Sequence, residues 1–381
     1  MIPLFNNDYP NLIPKTKTNV KESNMSLLEK LSKVGLKSIE LSKSPVYKDR
    51  DVTSTSVFSL NIALSGDIDE GFGSGVGILA GPSKHYKSNT GLIMISDYLN
   101  KYEGSMCLFY DSEFGTPPDY WENQGIDSSR VLHTPISNIE DLKFDLPQKL
   151  AEINRGDKVI IFVDSIGNLA SKKEQVDALD GKSTTDMTRA RENKSMFRIV
   201  TPMIKMRNIP ALFVAHTYDT MEMFSKKVVS GGTGLYYSAD WIIIFGRQQE
   251  KDGKEISGYN FILNVEKSRF VKEKSKIPLQ VMYDSGISKY SGMLELAVES
   301  GVVVKPKMGY YSLVDTDTGV ISDIAVKENK TAKDDFLGVV VKNEVFKKYI
   351  RDKYKLSITK MDSETLDDEV DKMMDDEDVE L

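Results

Sequence analysis

The sequence predicts an α/β fold: a mainly parallel, twisted sheet with helices on both faces and an antiparallel extension. Three observations predict it. Between about residues 53 and 290, four short apolar runs alternate with amphipathic stretches of helical period, the pattern of strand–helix–strand units whose sheet is covered on both faces. After residue 239, three further apolar runs follow one another across gaps such as "EKDGKEISG" (250–258), too short for a crossover helix and suited to hairpins. A content of 40% hydrophobic and 28% charged residues in 381 is that of a globular protein with one large core.

Residues 1–24 carry three prolines and several asparagines and are expected to form a loose extension. Residues 25–52 open with "MSLLEKLSKVGLKSIELSK", where Leu27, Leu28, Leu31, Val34 and Leu36 recur at helical spacing. A short helix with one apolar stripe either caps its own core or docks on a second subunit. Residues 53–290 hold the core. Its parallel strands are expected at "GVGILAG" (75–81), "SMCLFYDSE" (105–113), "KVIIFVDS" (158–165) and "IPALFVAHT" (209–217), and its antiparallel ones at "ADWIIIFGR", "GYNFILNVEKSR" and "IPLQVMYDSG". Residues 291–360 are expected to form a small C-terminal lobe, and 361–381 an acidic, disordered tail. Residues 362–381 alone carry eleven acids and one lysine, leaving a net +3 on the other 361 residues of a chain whose total is −7. Whole-chain charge therefore does not exclude a polyanionic partner. One cysteine, Cys107, allows no internal disulfide. No apolar run is long enough to span a bilayer, so a cytoplasmic protein is expected, with no membrane partner.

The chemistry gathers at strand ends. Residues 77–89, "GILAGPSKHYKSN", run from a strand through a loop into a helix, the setting in which backbone N–H groups and a helix N-terminus cradle phosphate. A phosphate loop reads G-x-x-x-x-G-K-[ST]. Gly81 opens it, Lys87 and Ser88 close it, and Pro82, Ser83, Lys84, His85, Tyr86 and Asn89 complete the stretch. Lys87 would neutralise β/γ-phosphates, and the Ser88 hydroxyl would ligate Mg²⁺. Tyr86 replaces the second glycine, so the loop is expected to work only if Tyr86 keeps ordinary backbone angles and turns its ring outward. Two carboxylates end the next strands. Asp164 would hold the metal through water, and Glu113 would polarise the attacking water. Ligands of open α/β sheets bind at that edge.

From "STSVFSLNIALSG" (54–66) through "GPSKHYKSN", "CLFYDSEFG", "VDSIGNLASKKE", "VAHTYDTMEMF" and "GGTGLYYSAD" to "NVEKSRFVKEKSK", ending at 276, the chain resembles the RecA-family recombinases, most of all the UvsX recombinases of large tailed phages. The resemblance implies a RecA-type P-loop ATPase core using ATP and Mg²⁺. It implies Glu113 as the catalytic glutamate, Tyr120 as an aromatic stacked on adenine, and His216 as the γ-phosphate sensor. It implies Lys267 and Arg269 as cations reaching a neighbour's ATP across a subunit interface. It also implies two loops on single-stranded DNA, with Phe224 as a wedge and Arg191, Arg198, Lys226, Lys227, Gly231 and Gly232 on phosphates.

Blander readings stand beside these. Tyr120 could be a core residue beside Trp121, His216 a satisfied hydrogen-bonding group, the arginines a solvated helix face, and the Lys267/Arg269 strand a solvated edge. The implied activity is ATP-dependent strand exchange by a helical filament on single-stranded DNA, acting on homologous duplex DNA in recombination, repair and recombination-dependent replication. A single-stranded-DNA-binding protein and a recombination mediator would be partners. Residues 25–45 would supply the polymerisation helix, and the acidic tail would restrain duplex capture. Two alternatives share the core: a hexameric helicase, which would carry a substantial N-terminal domain, and a nucleotide-responsive DNA-coating protein with vestigial hydrolysis and Tyr86 as its lesion.

Overall fold

The structure, a computed structural model, describes residues 26–36, 38–48, 51–182, 187–219, 227–252, 255–284 and 286–357, with the backbone alone at 48, 248–252 and 255–257. Phe224, Lys226, residues 1–24 and the acidic segment 361–381 lie outside the described residues. The chain divides into two compact units, residues 1–49 and 50–381.

In the first unit, helix α1 (Leu27–Ser32) starts at Ser26, whose hydroxyl accepts from the Glu29 N–H while the Glu29 carboxylate accepts from the Ser26 N–H. This reciprocal cap satisfies two of the donors a helix start leaves open. The sequence predicts a longer helix, but it ends after six residues, and Gly35 turns the chain with φ +74°. Val34 and Leu36 thus leave the stripe, and Leu36 is 91% exposed. A helix this short gains little from propensity alone. A turn of 3₁₀ helix (Leu41–Lys43) and α2 (Pro45–Lys48) follow.

The second unit begins with α3 (Phe58–Ser65) and alternates β1 (Gly75–Ala80), α4 (Lys87–Lys101), β2 (Met106–Asp111), α5 (Pro118–Glu122), β3 (Val131–Pro135), α6 (Ile139–Glu152), β4 (Val159–Asp164), α7 (Lys172–Leu179), α8 (Thr188–Arg207) and β5 (Pro210–Ala215). Then come the hairpin β6 (Thr217–Asp219) and β7 (Lys227–Val229), α9 (Gly232–Ser238), and β8 (Trp241–Asp252), β9 (Glu255–Lys267), β10 (Lys276–Met282) and β11 (Gly286–Ile287). The nine-stranded sheet runs β11-β10-β9-β8-β1-β5-β4-β2-β3. From β8 to β3 all pairs are parallel; β9, β10 and β11 are antiparallel. All seven strands expected from apolar runs are present, but β8, expected in the antiparallel extension, pairs parallel with β1 and antiparallel only with β9. The edge strand β3 was not expected, because its pattern is half exposed.

β1, β4 and β5 are buried at every residue. Their V/I/L/F-rich runs can lie only in the middle of a sheet covered on both faces. Gly91 lets α4 sit close: a Cβ there would meet the Phe162 ring at 2.6 Å. That contact brings the start of α4 over the end of β4. The C-terminal segment holds α10 (Met293–Glu299), a three-stranded sheet of β12 (Val303–Lys307), β13 (Tyr310–Leu313) and β14 (Val326–Lys327), then α11 (Leu337–Val340) and α12 (Glu344–Tyr354). Its Met293, Tyr311, Phe346 and Ile350 belong to the same buried cluster as Leu60, Phe261 and Ile277. The segment is therefore continuous with the sheet's own core. Among the described residues no helix is long and apolar enough to cross a membrane.

Tyr86, the residue before α4, corrects an expectation. Its backbone is left-handed, φ 57° and ψ 20°, a conformation that costs a side-chain-bearing residue about 1–2 kcal/mol. The ring offsets that cost: it packs edge-on against Phe261, 5.5 Å between centroids, on the side of β9. Packing, not relaxed backbone angles, makes tyrosine acceptable. Tyr86→Ala keeps the strain and loses the ring, whereas Tyr86→Gly loses both. The glycine variant is expected to be more stable than the alanine variant by about 1 kcal/mol in urea unfolding, against glycine's usual disadvantage at helix positions. An alanine variant of equal or greater stability would show that the backbone is unstrained.

Candidate active site

The cradle lies at the carboxyl ends of the parallel strands. Gly81 donates to the Ala215 carbonyl at 3.2 Å, tying the loop after β1 to the end of β5. The loop then passes Pro82, Ser83 and the left-handed Lys84, whose φ is 60°. His85 is buried, with Nδ1 2.9 Å from the Ser83 carbonyl, so it serves the loop from within and meets a ligand only through its backbone. The first turn of α4 presents the N–H groups of Lys87, Ser88 and Asn89 without intrahelical acceptors. Lys87 is buried, and its Nζ donates to the Pro82 carbonyl at 2.8 Å. Burial pulls its ammonium below the ordinary lysine value, opposed by the charges of Glu113 and Asp164. A desolvated cation beside a ring of N–H groups can do little else than bind an anion.

Asp164 faces the cradle from the end of β4, 3% exposed. Its Oδ1 is buried without a hydrogen-bond partner, and the Ser88 hydroxyl hydrogen-bonds the carboxyl. Burial pushes its pKa up to about 6, helped by Glu113 and Asp111 and resisted by Ser88 and Lys87. An orphaned buried carboxylate oxygen next to a hydroxyl is a donor set for a hard cation. Among the described residues no group of three or more His, Cys, Asp or Glu could hold a metal. Ser88 and Asp164 therefore fit Mg²⁺ that takes its remaining ligands from water and phosphate.

Glu113 follows β2 and is held by three hydrogen bonds to one oxygen. Oε1 accepts from Ser165 Oγ at 2.6 Å, Asn168 Nδ2 at 3.1 Å and His216 Nε2 at 3.0 Å. Oε2 is left as the oxygen that can take a proton. The bond from His216, aided by Ser165 and the Lys87 charge, outweighs burial and holds the carboxyl below the ordinary glutamate value. Its backbone is set by Asp111, buried at the end of β2, whose Oδ1 accepts from the N–H groups of Glu113 (3.0 Å) and Phe114 (2.7 Å). Sequence reasoning missed Asp111, Ser165 and Asn168. An aspartate two residues before the glutamate is the spacing of an Asx turn and could have revealed the first.

His216 sits where β5 gives way to the β6–β7 hairpin. It exchanges backbone bonds with Ser230, whose N–H donates to the His216 carbonyl at 2.8 Å, while its own N–H donates to Ser230 Oγ at 3.1 Å. The hairpin carries exposed Lys227, and Gly231 and Gly232, with φ 109° and 79°, turn the chain into α9. Arg191 and Arg198 lie exposed on α8; Arg191 also pairs with Glu192 at 3.4 Å. Tyr120 is 45% exposed on α5, while the neighbouring Trp121 is the core residue. Lys267 and Arg269 are not at the cradle. Lys267 donates to the Tyr236 carbonyl at 2.8 Å, and burial lowers its pKa, helped by Arg269. Arg269, 61% exposed, pairs with Asp240 Oδ1 at 2.7 Å. Asp240 in turn caps Val76 at the amino end of β1, about 16 Å along the strand from Gly81 at 3.3 Å per residue. Arg269 therefore stands by the opposite end of β1 from the phosphate loop.

A folded-state pKa raised above the unfolded value means that the native state keeps a proton which the unfolded chain has released. Stability therefore falls as pH rises from 3.8 to about 6, by about 3 kcal/mol for two units. Asp164→Asn is expected to melt a few degrees higher than the wild type at pH 8 without nucleotide or metal, the gap closing towards pH 5. A gap independent of pH would show that Asp164 is not the desolvated charge described.

Comparison with known proteins gives the family. The model for the RecA N-terminal domain matches residues 21–288, and that for the C-terminal domain of the bacteriophage T4 recombination and repair protein matches residues 290–350. The chain is 49% identical over 344 residues to the recombination and repair protein of Enterobacteria phage T4, covering 88% of this chain and 86% of that one. It is 26% identical over 273 residues to the protein RecA of Clostridioides difficile, covering 71% and 75%. A solved RadB recombinase is similar at 18% identity with a TM-score of 0.42, over 57% of this chain and 92% of that one. The phosphate-loop segment, Asp164 and Glu113 all stand at carboxyl ends of strands in one parallel sheet, and the matched residues span that sheet and the segment beyond it: the chain belongs to the RecA family of recombinases.

Proposed function

We propose that this chain is an ATP-dependent recombinase that polymerises on single-stranded DNA and carries out homologous pairing and strand exchange, coupling ATP turnover to DNA through Glu113 and His216. The observation that carries the reading is the bond between those two side chains, one a proton acceptor over the phosphate cradle, the other the residue that leads from β5 into the β6–β7 hairpin. The loop would hold the triphosphate with its N–H groups and Lys87, and exposed Tyr120 would stack on adenine. Ser88 and Asp164 would hold Mg²⁺, which would supply charge neutralisation to the phosphates. Glu113 Oε2 orients water and accepts its proton. When a γ-phosphate draws His216 away from Glu113, two things change together: the glutamate loses a bond that depressed its basicity, and the hairpin base shifts. Nucleotide state and loop order become one two-state element.

The placement of Lys267 and Arg269 at the opposite end of β1 supports their acting on a neighbour's nucleotide, as an arginine finger does. Residues 25–45 would dock on the next protomer. Lys227, Gly231, Gly232, Arg191 and Arg198 would meet the DNA backbone, with Phe224 and Lys226 in the undescribed part of the same loop. A homologous duplex, a single-stranded-DNA-binding protein and a mediator complete the expected partners, in a host cytoplasm. The Tyr86 ring lies against Phe261, which speaks against a plugged cradle and vestigial hydrolysis.

Strand exchange between homologous DNA substrates with ATP is expected of the wild type and not of Lys87→Ala. Glu113→Gln is expected to bind ATP and DNA within about threefold of the wild type while turnover falls at least about 100-fold, the worth of a general base. Full turnover in that variant would remove Glu113 from the chemistry. For cations supplied in trans, Lys87→Ala and Lys267→Ala should each be inactive alone. An equimolar mixture should regain up to about a quarter of wild-type turnover, the share of head-to-tail interfaces with both parts intact. An inactive mixture, with filaments still forming, would place Lys267 elsewhere.

A further inference from the structure

We propose that Arg189 is a positioning residue that transmits DNA engagement from the start of α8 to Glu113, through the turn Ser165–Asn168. The inference rests on the recombinase reading above and names a residue which that reading does not use. The turn directly follows Asp164, and two of its side chains, Ser165 and Asn168, supply two of the three hydrogen bonds on Glu113 Oε1. Its position therefore sets the carboxylate's position. The same turn is gripped from the other side at Gly167. The half-buried Arg189, in the first turn of α8, donates from Nη2 to the Gly167 carbonyl at 2.8 Å. The α-carbon of Gly167 lies against the base of the β6–β7 hairpin: a Cβ there would meet Ser230 Oγ at 2.8 Å and His216 Cδ2 at 3.2 Å. One four-residue turn thus touches the glutamate, the histidine hairpin and the start of α8.

Arg189 suits this link because of what it lacks. Among the described residues it makes no ion pair to an acidic side chain. Its bond to a carbonyl is charge-assisted and directional, stronger than a neutral one. A guanidinium that spans from a helix start to a backbone carbonyl makes a rigid strut, which a lysine on a flexible stem cannot reproduce. Displacement of the helix start moves the Gly167 carbonyl and, through Ser165 and Asn168, the oxygen clamp on Glu113. Under the recombinase reading Arg191 and Arg198 on the same helix meet the DNA backbone, so DNA has a lever on the glutamate independent of His216.

The test compares wild type, Arg189→Lys and Arg189→Gln for ATP turnover with and without single-stranded oligo-dT, and for oligo-dT affinity across a salt series. Both variants should keep DNA-independent turnover within about twofold of the wild type, which also reports that they fold. Stimulation by oligo-dT should fall at least tenfold in the glutamine variant and by less in the lysine variant. The slope of log affinity against log salt should not change, because a phosphate contact on a single strand would lower it by about 0.7. A wild type stimulated by DNA alongside an equally stimulated Arg189→Gln overturns the inference alone. A slope reduced by about 0.7 overturns it in favour of direct phosphate contact. A wild type that DNA does not stimulate brings down the recombinase reading and this inference with it.

Discussion

Three donors on one oxygen organise the active site. Ser165, Asn168 and His216 come from the ends of two different strands, β4 and β5, and meet on Glu113, which follows a third, β2. The order β1-β5-β4-β2 places β5 and β4 between the cradle strand and the glutamate strand. The glutamate must therefore reach back across both, and its side chain is fixed only by what it meets there. Asp111 holds the backbone of that reach, and the converging donors hold its tip. Remove the sheet order and the chemistry disperses, since the segments Asp111–Glu113, Ser165–Asn168 and His216 lie far apart in sequence.

The site is electrostatically unfinished without ligand. Asp164 has a buried oxygen with no partner, and Lys87 is a buried cation whose one described bond is to a carbonyl. Each pKa is displaced in the direction that burial dictates, up for the acid and down for the base. These are stability costs that a triphosphate and its metal would relieve. Polar groups held unsatisfied at a binding site are what a fold retains for function at some expense to stability. Tyr86 adds a smaller conformational cost in the same loop, offset by an aromatic contact with β9. The antiparallel extension thereby supports the cradle as well as carrying the distant cations.

The core extends beyond the sheet. The C-terminal segment matches a different family model from the rest, yet its buried side chains join the cluster under α3 and β9. Burying a side chain such as Phe346 or Ile350 contributes about 1.5–3 kcal/mol, so the segment adds to the stability of the part that holds nucleotide. By contrast, α1 is six residues long with a complete cap and exposed leucines. Its cap is encoded locally; what its leucines contact is not.

Sequence alone determined seven of the nine strand runs of the sheet, the position of the strand–loop–helix segment at Gly81–Asn89, and the candidates Glu113 and Asp164 at strand ends. Each is a local signal, either a period of apolar residues or a short motif whose chemistry follows from residue type and spacing. Tertiary structure decided the rest. That Tyr86 adopts a left-handed backbone depends on Phe261, 175 positions away in sequence. That Glu113 is clamped by His216 depends on strand order. That Lys267 and Arg269 lie at the far end of β1 depends on which way β9 runs. Such facts arise from contacts between residues distant in sequence, whose free energy is settled only when the whole sheet closes, and no window along the chain contains them.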